Sequence, residues 1–93
     1  MALARVVSFD GVSESRVEEM KQQIGEGRPD EVPATEIVML YDAEAEKSLV
    51  ILFFDSEADY ARADETLSAM PPDQTPGTRT AVGKYEVVVR QSG

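Results

Sequence analysis

The 93-residue chain contains no cysteine, no histidine and no tryptophan. Without cysteine there is no disulfide, no thiolate metal site and no cysteine nucleophile, a usage that fits a reducing cytoplasm. Without histidine there is no Ser-His-Asp triad, no Cys-His pair and no histidine ligand for haem. The commonest general base near neutral pH is missing too, which leaves carboxylates and phenols for proton chemistry. Basic side chains are scarce: 9 Lys plus Arg stand against 18 Asp plus Glu, a net charge of −9. Such a field repels nucleic acid and anionic membrane surfaces and reads as a solubilising exterior. No apolar run reaches the ~18 residues of a membrane span. MALARVVSFDG lacks the basic region, apolar stretch and cleavage site of a secretory signal. Phosphate-cradling glycine loops, nucleotide fingerprints and metal-ligand spacings are absent as well, so neither a metal nor another cofactor is expected.

What is present is a globular composition, 42% hydrophobic and 29% charged, and a length that allows one domain over residues 1–93. LARVVSF, from Leu3 to Phe9, reads as a strand ending at an Asp10-Gly11 turn. Ser13 or Ser15 can cap the helix that follows, and Ser15-Arg16-Val17-Glu18 fits the Ser-x-x-Glu capping box. Val17, Met20 and Ile24 form its apolar stripe; Gly25 and Gly27 stop it, and GEGRPDEVPA is a loop. TEIVMLYD (Thr35 to Asp42) and SLVILFF (Ser48 to Phe54) are strands joined by a short acidic connection, AEAEK. Ser56 caps a second helix with carboxylates in its first turn, where the helix dipole favours them. Its stripe is Tyr60, Ala63, Leu67 and Met70, and Pro71-Pro72 ends it. After the turn-rich PPDQTPGT, the stretch from Thr80 to Arg90 is the last strand.

VVSFDGVSES and ILFFDSEADY echo one another, each an apolar strand, Phe-Asp, a Ser-Glu pair and a helix start. Two such halves give βαββαβ, an α+β fold of the ferredoxin-like kind: a four-stranded antiparallel sheet with both helices on one face. The other face should then be polar in a monomer. It is not. Leu49, Ile51 and Phe53 alternate with Val50, Leu52 and Phe54, so the third strand is apolar on both sides, and the second strand behaves likewise. Tyr85, Val87 and Val89 add an apolar face to the last strand. An apolar sheet face of several hundred Å² calls for a partner, and the simplest is a second copy related by a two-fold axis. A monomer covered by loop 71–79 is the competing reading, but that loop is polar and proline-rich.

ARVVSFDG, VPATEIVMLYD, SLVILFFDSEADYARADETL and AVGKYEVVV together resemble the dimeric α/β-barrel superfamily. The narrower likeness is to its antibiotic-biosynthesis-monooxygenase-like branch, which includes small bacterial proteins without a known activity. The resemblance implies two sheets closing a barrel across a homodimer, helices outside, and a small-molecule cavity between sheet and helices in each subunit. It also implies cofactor-free oxygenation of aromatic or polyketide-type substrates as one activity found in the superfamily. The haem-degrading branches are excluded by the missing histidine.

Candidate ligand-binding residues are the three phenols, Tyr41, Tyr60 and Tyr85, and Ser8 in the first strand. A phenol can hydrogen-bond an aromatic or quinone-like molecule or pass it a proton, and Ser8 can bind a carbonyl. Arg5 reads as a surface residue or interface ion pair, Glu36 and Glu86 as solvated strand ends, and Asp42 and Asp55 as turn chemistry. The expectation is a homodimer that binds a small apolar or aromatic molecule without metal or haem. A cofactor-independent monooxygenase and a purely structural dimerisation domain are the alternatives.

Overall fold

The strand that organises the sheet is LARVVSFD, β1 (Leu3–Asp10), whose Leu3, Arg5, Val7 and Phe9 are all buried. The structure, a computed structural model, describes residues 2–25, 32–69 and 75–91. After β1 come α1 (Glu14–Gly25), β2 (Glu36–Asp42), β3 (Lys47–Phe54), α2 (Glu57–Ser68) and β4 (Thr78–Glu86). The sheet order is β2-β3-β1-β4 and every neighbouring pair is antiparallel. This is the βαββαβ, ferredoxin-like α+β arrangement expected from the two echoing halves.

Register fixes which side chains share a face. Leu3, Arg5, Val7 and Phe9 lie opposite Phe54, Leu52, Val50 and Ser48, and Ile37, Met39 and Tyr41 of β2 join that face. Both helices cover it: Val17 of α1 packs on Val7, Phe9 and Val12, while Tyr60 and Ala63 of α2 pack with Leu3, Leu52 and Phe54. The echo thus has a structural meaning. Phe9 and Phe54 stand at opposite ends of the central strand pair, and each belongs to one of two core clusters.

Local chemistry places the helix starts. α1 is capped by Ser13, whose Oγ accepts from the Arg16 backbone N–H at 3.2 Å, rather than by a capping box at Ser15. α2 is capped by Ser56, as expected, with its Oγ accepting from the Asp59 N–H at 3.2 Å. The connection between β2 and β3 turns through Glu46 at a φ of 54°, and its Asp42 carboxylate accepts from the N–H groups of Glu44 and Ala45.

Two boundaries differ from expectation. β4 begins at Thr78 and ends at Glu86, and only the Val87 N–H, donating to the Ala2 carbonyl, prolongs the ladder. Val88 and Val89 are exposed beyond the strand, so Val89 does not extend its apolar face. A bulge also interrupts β4: Ser8 faces Ala81 and Phe9 faces Arg79, leaving Thr80 as the extra residue. The side chain of Ile24, the loop residues 26–31, Met70 and Pro71-Pro72 lie outside the described residues.

Candidate functional site

Arg5 departs most from its sequence reading. It is not a surface residue: only 3% exposed, it points to the helices from the middle of the sheet, and its ion pair is with Asp64 of the same chain. Burying a guanidinium demands partners for its N–H groups. Its Nε donates to Asp64 Oδ1 at 2.8 Å and its Nη2 approaches Ser68 Oγ at 3.5 Å, both on α2. Among the described residues nothing accepts from Nη1. The side chain lines a partly open cavity of about 90 Å³ between the sheet, both helices and the start of the β4 approach.

Val7, Phe9, Val50 and Leu52 form the cavity's sheet wall; Met20 comes from α1 and Leu67 from α2. Thr75 and Pro76 complete it, and Arg16 holds them there. The Arg16 Nε and Nη2 both donate to the Thr75 carbonyl, at 3.1 and 3.0 Å. The loop comes close because Gly77 has no side chain: a Cβ there would stand 2.4 Å from the Asp10 carbonyl oxygen and 2.9 Å from Val12 Cγ2. The described part of loop 71–79 therefore closes the helix side of the sheet and leaves the opposite face alone. Arg79, exposed, reaches the same cavity from β4.

The four residues singled out from sequence are not gathered into one site. Tyr41 and Tyr60 face the helices from different places. The Tyr41 hydroxyl donates to the Val12 carbonyl at 2.9 Å; burial, with Glu14, Glu46 and Asp42 nearby, pushes its pKa above the usual phenol value. Tyr60 is buried with its ring edge-on to Phe54, centroids 5.5 Å apart, and Lys84 Nζ lies 5.0 Å from the Tyr60 ring centroid. Burial, then the charge of Asp64, raises its pKa too. Tyr85 lies on the opposite face, 57% exposed. Ser8 points to that face as well, and its carbonyl accepts from the Thr80 hydroxyl at 3.2 Å. Ser8 and Tyr41 do share a shallow cleft with Leu40, Leu49 and Lys47 at the turn end of the sheet.

The open face carries Val6, Val38, Leu40, Leu49, Ile51, Phe53 and Tyr85. Leu40 and Leu49 are exposed, and the ring of Tyr85 lies along the sheet over Gly83, where a Cβ would come within 2.5 Å of it. Charges lie only at its two ends. At one, Lys47 stands 3.9 Å from Asp10. At the other, Arg90 pairs with Glu36 and lies over the Phe53 ring, its guanidinium carbon 4.5 Å from the centroid. Glu86 is solvated, as expected.

Two functional candidates were missed from sequence, Arg5 and Arg79. Parity could have found the first: Leu3, Arg5, Val7 and Phe9 alternate along one strand, so an inward Leu3 and Phe9 carry Arg5 inward with them. Arg79 had no such signal, because the bulge at Thr80 shifts the alternation.

No protein-family model matches the chain, and comparison with curated proteins and with solved structures finds no match. The class therefore rests on the fold: a ferredoxin-like α+β protein with one apolar face open. Among the described residues no helix is long and apolar enough to cross a membrane, and no group of acidic side chains is placed to hold a metal ion.

Proposed function

We propose that the protein is a homodimer joined through its open sheet face, a dimeric α/β barrel of the kind its strands resemble. In each subunit the cavity between sheet and helices takes a small apolar or aromatic molecule, with no metal or haem. The observation that supports this is the open face itself. In a chain with 29% charged residues and a net charge of −9, the middle of that face carries no charge at all.

The size suits a second copy. Four strands about 4.8 Å apart and about eight residues long project roughly 500 Å², before side chains corrugate the surface. Specific interfaces bury about 800 Å² of accessible surface per partner. A copy turned by a two-fold axis presents the same uncharged centre to itself, and the charged ends fall at the rim where water remains.

A specific observation favours one alternative, a purely structural dimerisation domain. Tyr41 is committed to a backbone carbonyl and Tyr60 to Phe54, so neither phenol lines the cavity. The same observation leaves a cofactor-independent monooxygenase without a phenolic proton handler there. Native mass spectrometry tests the proposal. The expected result is a species of twice the 10.2 kDa chain that Phe53→Glu converts to monomer. A monomeric wild-type protein at micromolar concentration would overturn it.

A further inference from the structure

The chain has twice as many acidic as basic residues, yet among the described residues the charged side chains lining the cavity are both arginines, Arg5 and Arg79. Arg5 is compensated by Asp64 through a single N–H, from Nε. Among the described residues Nη1 has no acceptor. Arg79 makes no ion pair among the described residues. Among the described residues, Arg5, Arg79 and Asp64 together carry +1 against apolar walls.

A buried ion pair is weak support for a fold: an apolar residue of similar volume commonly serves as well. An arginine on the core face of a central strand, with part of its fork left toward a cavity and no buried polar atom unsatisfied among the described residues, is free to take a further partner there. A guanidinium fork recognises a carboxylate by two parallel N–H···O bonds. The volume limits the rest. At about 90 Å³ it is smaller than the ~150 Å³ apolar cavity known to admit benzene.

From these observations we propose that the cavity is a binding site for a short-chain monocarboxylate. The Nη1 edge of Arg5 receives the carboxylate, and Arg79, at the solvent end, draws the anion in. Val7, Leu52 and Leu67 enclose its aliphatic body. This rests on the small-molecule reading above but replaces its apolar or aromatic ligand with an anionic, aliphatic one.

The test is a titration of the full-length, isotope-labelled protein with sodium propionate and, separately, with propionamide at matched ionic strength, following the methyl resonances of Val7, Leu52 and Leu67. Propionate is expected to saturate these shifts, with propionamide at least about tenfold weaker, since a hydrogen bond to a charged group contributes that much or more. Arg79→Gln, at an exposed position, is expected to weaken propionate several-fold without altering the fold. Arg5→Lys, which keeps the charge and loses the fork, is expected to weaken it about tenfold or more. Equal binding of the amide and the acid, or propionate binding unmoved by either variant, would overturn the carboxylate assignment and leave the small-molecule cavity standing. No shift with either compound would remove both.

Discussion

Two glycines separate space from conformation at the residue scale. Gly77 meets the Asp10 backbone, which cannot swing aside, whereas Gly83 meets only the ring of Tyr85, which can. Gly77→Ala is therefore expected to cost about 1–3 kcal/mol, as overpacking does, and Gly83→Ala much less; paired thermal melts check the contrast. Ser56→Ala removes the cap on α2 and is expected to cost about 0.5–2 kcal/mol in the same assay. Titration gives a further prediction. Glu57 and Lys84 are bonded at 2.6 Å, which lowers the pKa of the first and raises that of the second. The Glu57 contribution is present above the unfolded carboxylate pKa and is lost as pH falls through the lower folded value. That of Lys84 is present below the unfolded lysine pKa and is lost as pH rises through the higher folded one. In Lys84→Met both pH-dependent losses should vanish from the stability profile. Because burial raises both phenols, Tyr41→Phe and Tyr60→Phe should each delete a late-ionising step from an ultraviolet titration.

Among the elements, β3 shows why one strand can be apolar on both faces. Val50, Leu52 and Phe54 meet the helices, while Leu49, Ile51 and Phe53 form the middle of the open face. The two phenylalanines are neighbours in sequence with opposite roles. Phe54 is fully buried, so Phe54→Ala is expected to cost about 3–5 kcal/mol in denaturant melts. Phe53→Glu should leave the fold intact, since its side chain lies outside the helix-facing core. The segment after β4 is tied to the open face at one end only, through Arg90 on Phe53 and Glu36. Val88 and Val89 stay exposed, a short apolar edge next to the same face.

For the whole molecule the governing quantity is how much apolar surface one chain can cover. Each large aliphatic or aromatic side chain left in water forgoes about 1.5–3 kcal/mol of burial, against about 5–15 kcal/mol of stability for an entire domain. Leu40, Leu49 and Tyr85 are exposed on the open face and four more apolar residues accompany them. If two copies join through this face, as proposed, Leu49→Lys halves the mass measured by light scattering while retaining the circular dichroism of the folded chain. An unchanged mass would mean that the open face does not join two copies.

The order of strands and helices, the cap at Ser56 and the two-sided apolar character of β3 were legible in the sequence because each depends on local spacing: period two, period 3.6 and a serine before an acidic turn. The choice of Ser13 over Ser15 as the first cap and the end of β4 at Glu86 were not, because competing serines and a run of valines satisfy more than one local rule. Sequence alone determined the absences too, since a missing histidine or cysteine is missing in any conformation. Only the tertiary structure decided which of Phe53 and Phe54 meets the helices, because that parity is set by pairing with β1 and β2. It also decided that Tyr41, Tyr60, Tyr85 and Ser8 fall on two faces, and that buried Arg5 and exposed Arg79 line one cavity. Those are distances between residues far apart along the chain, fixed by the packing of the helices on the sheet rather than by any neighbour in sequence.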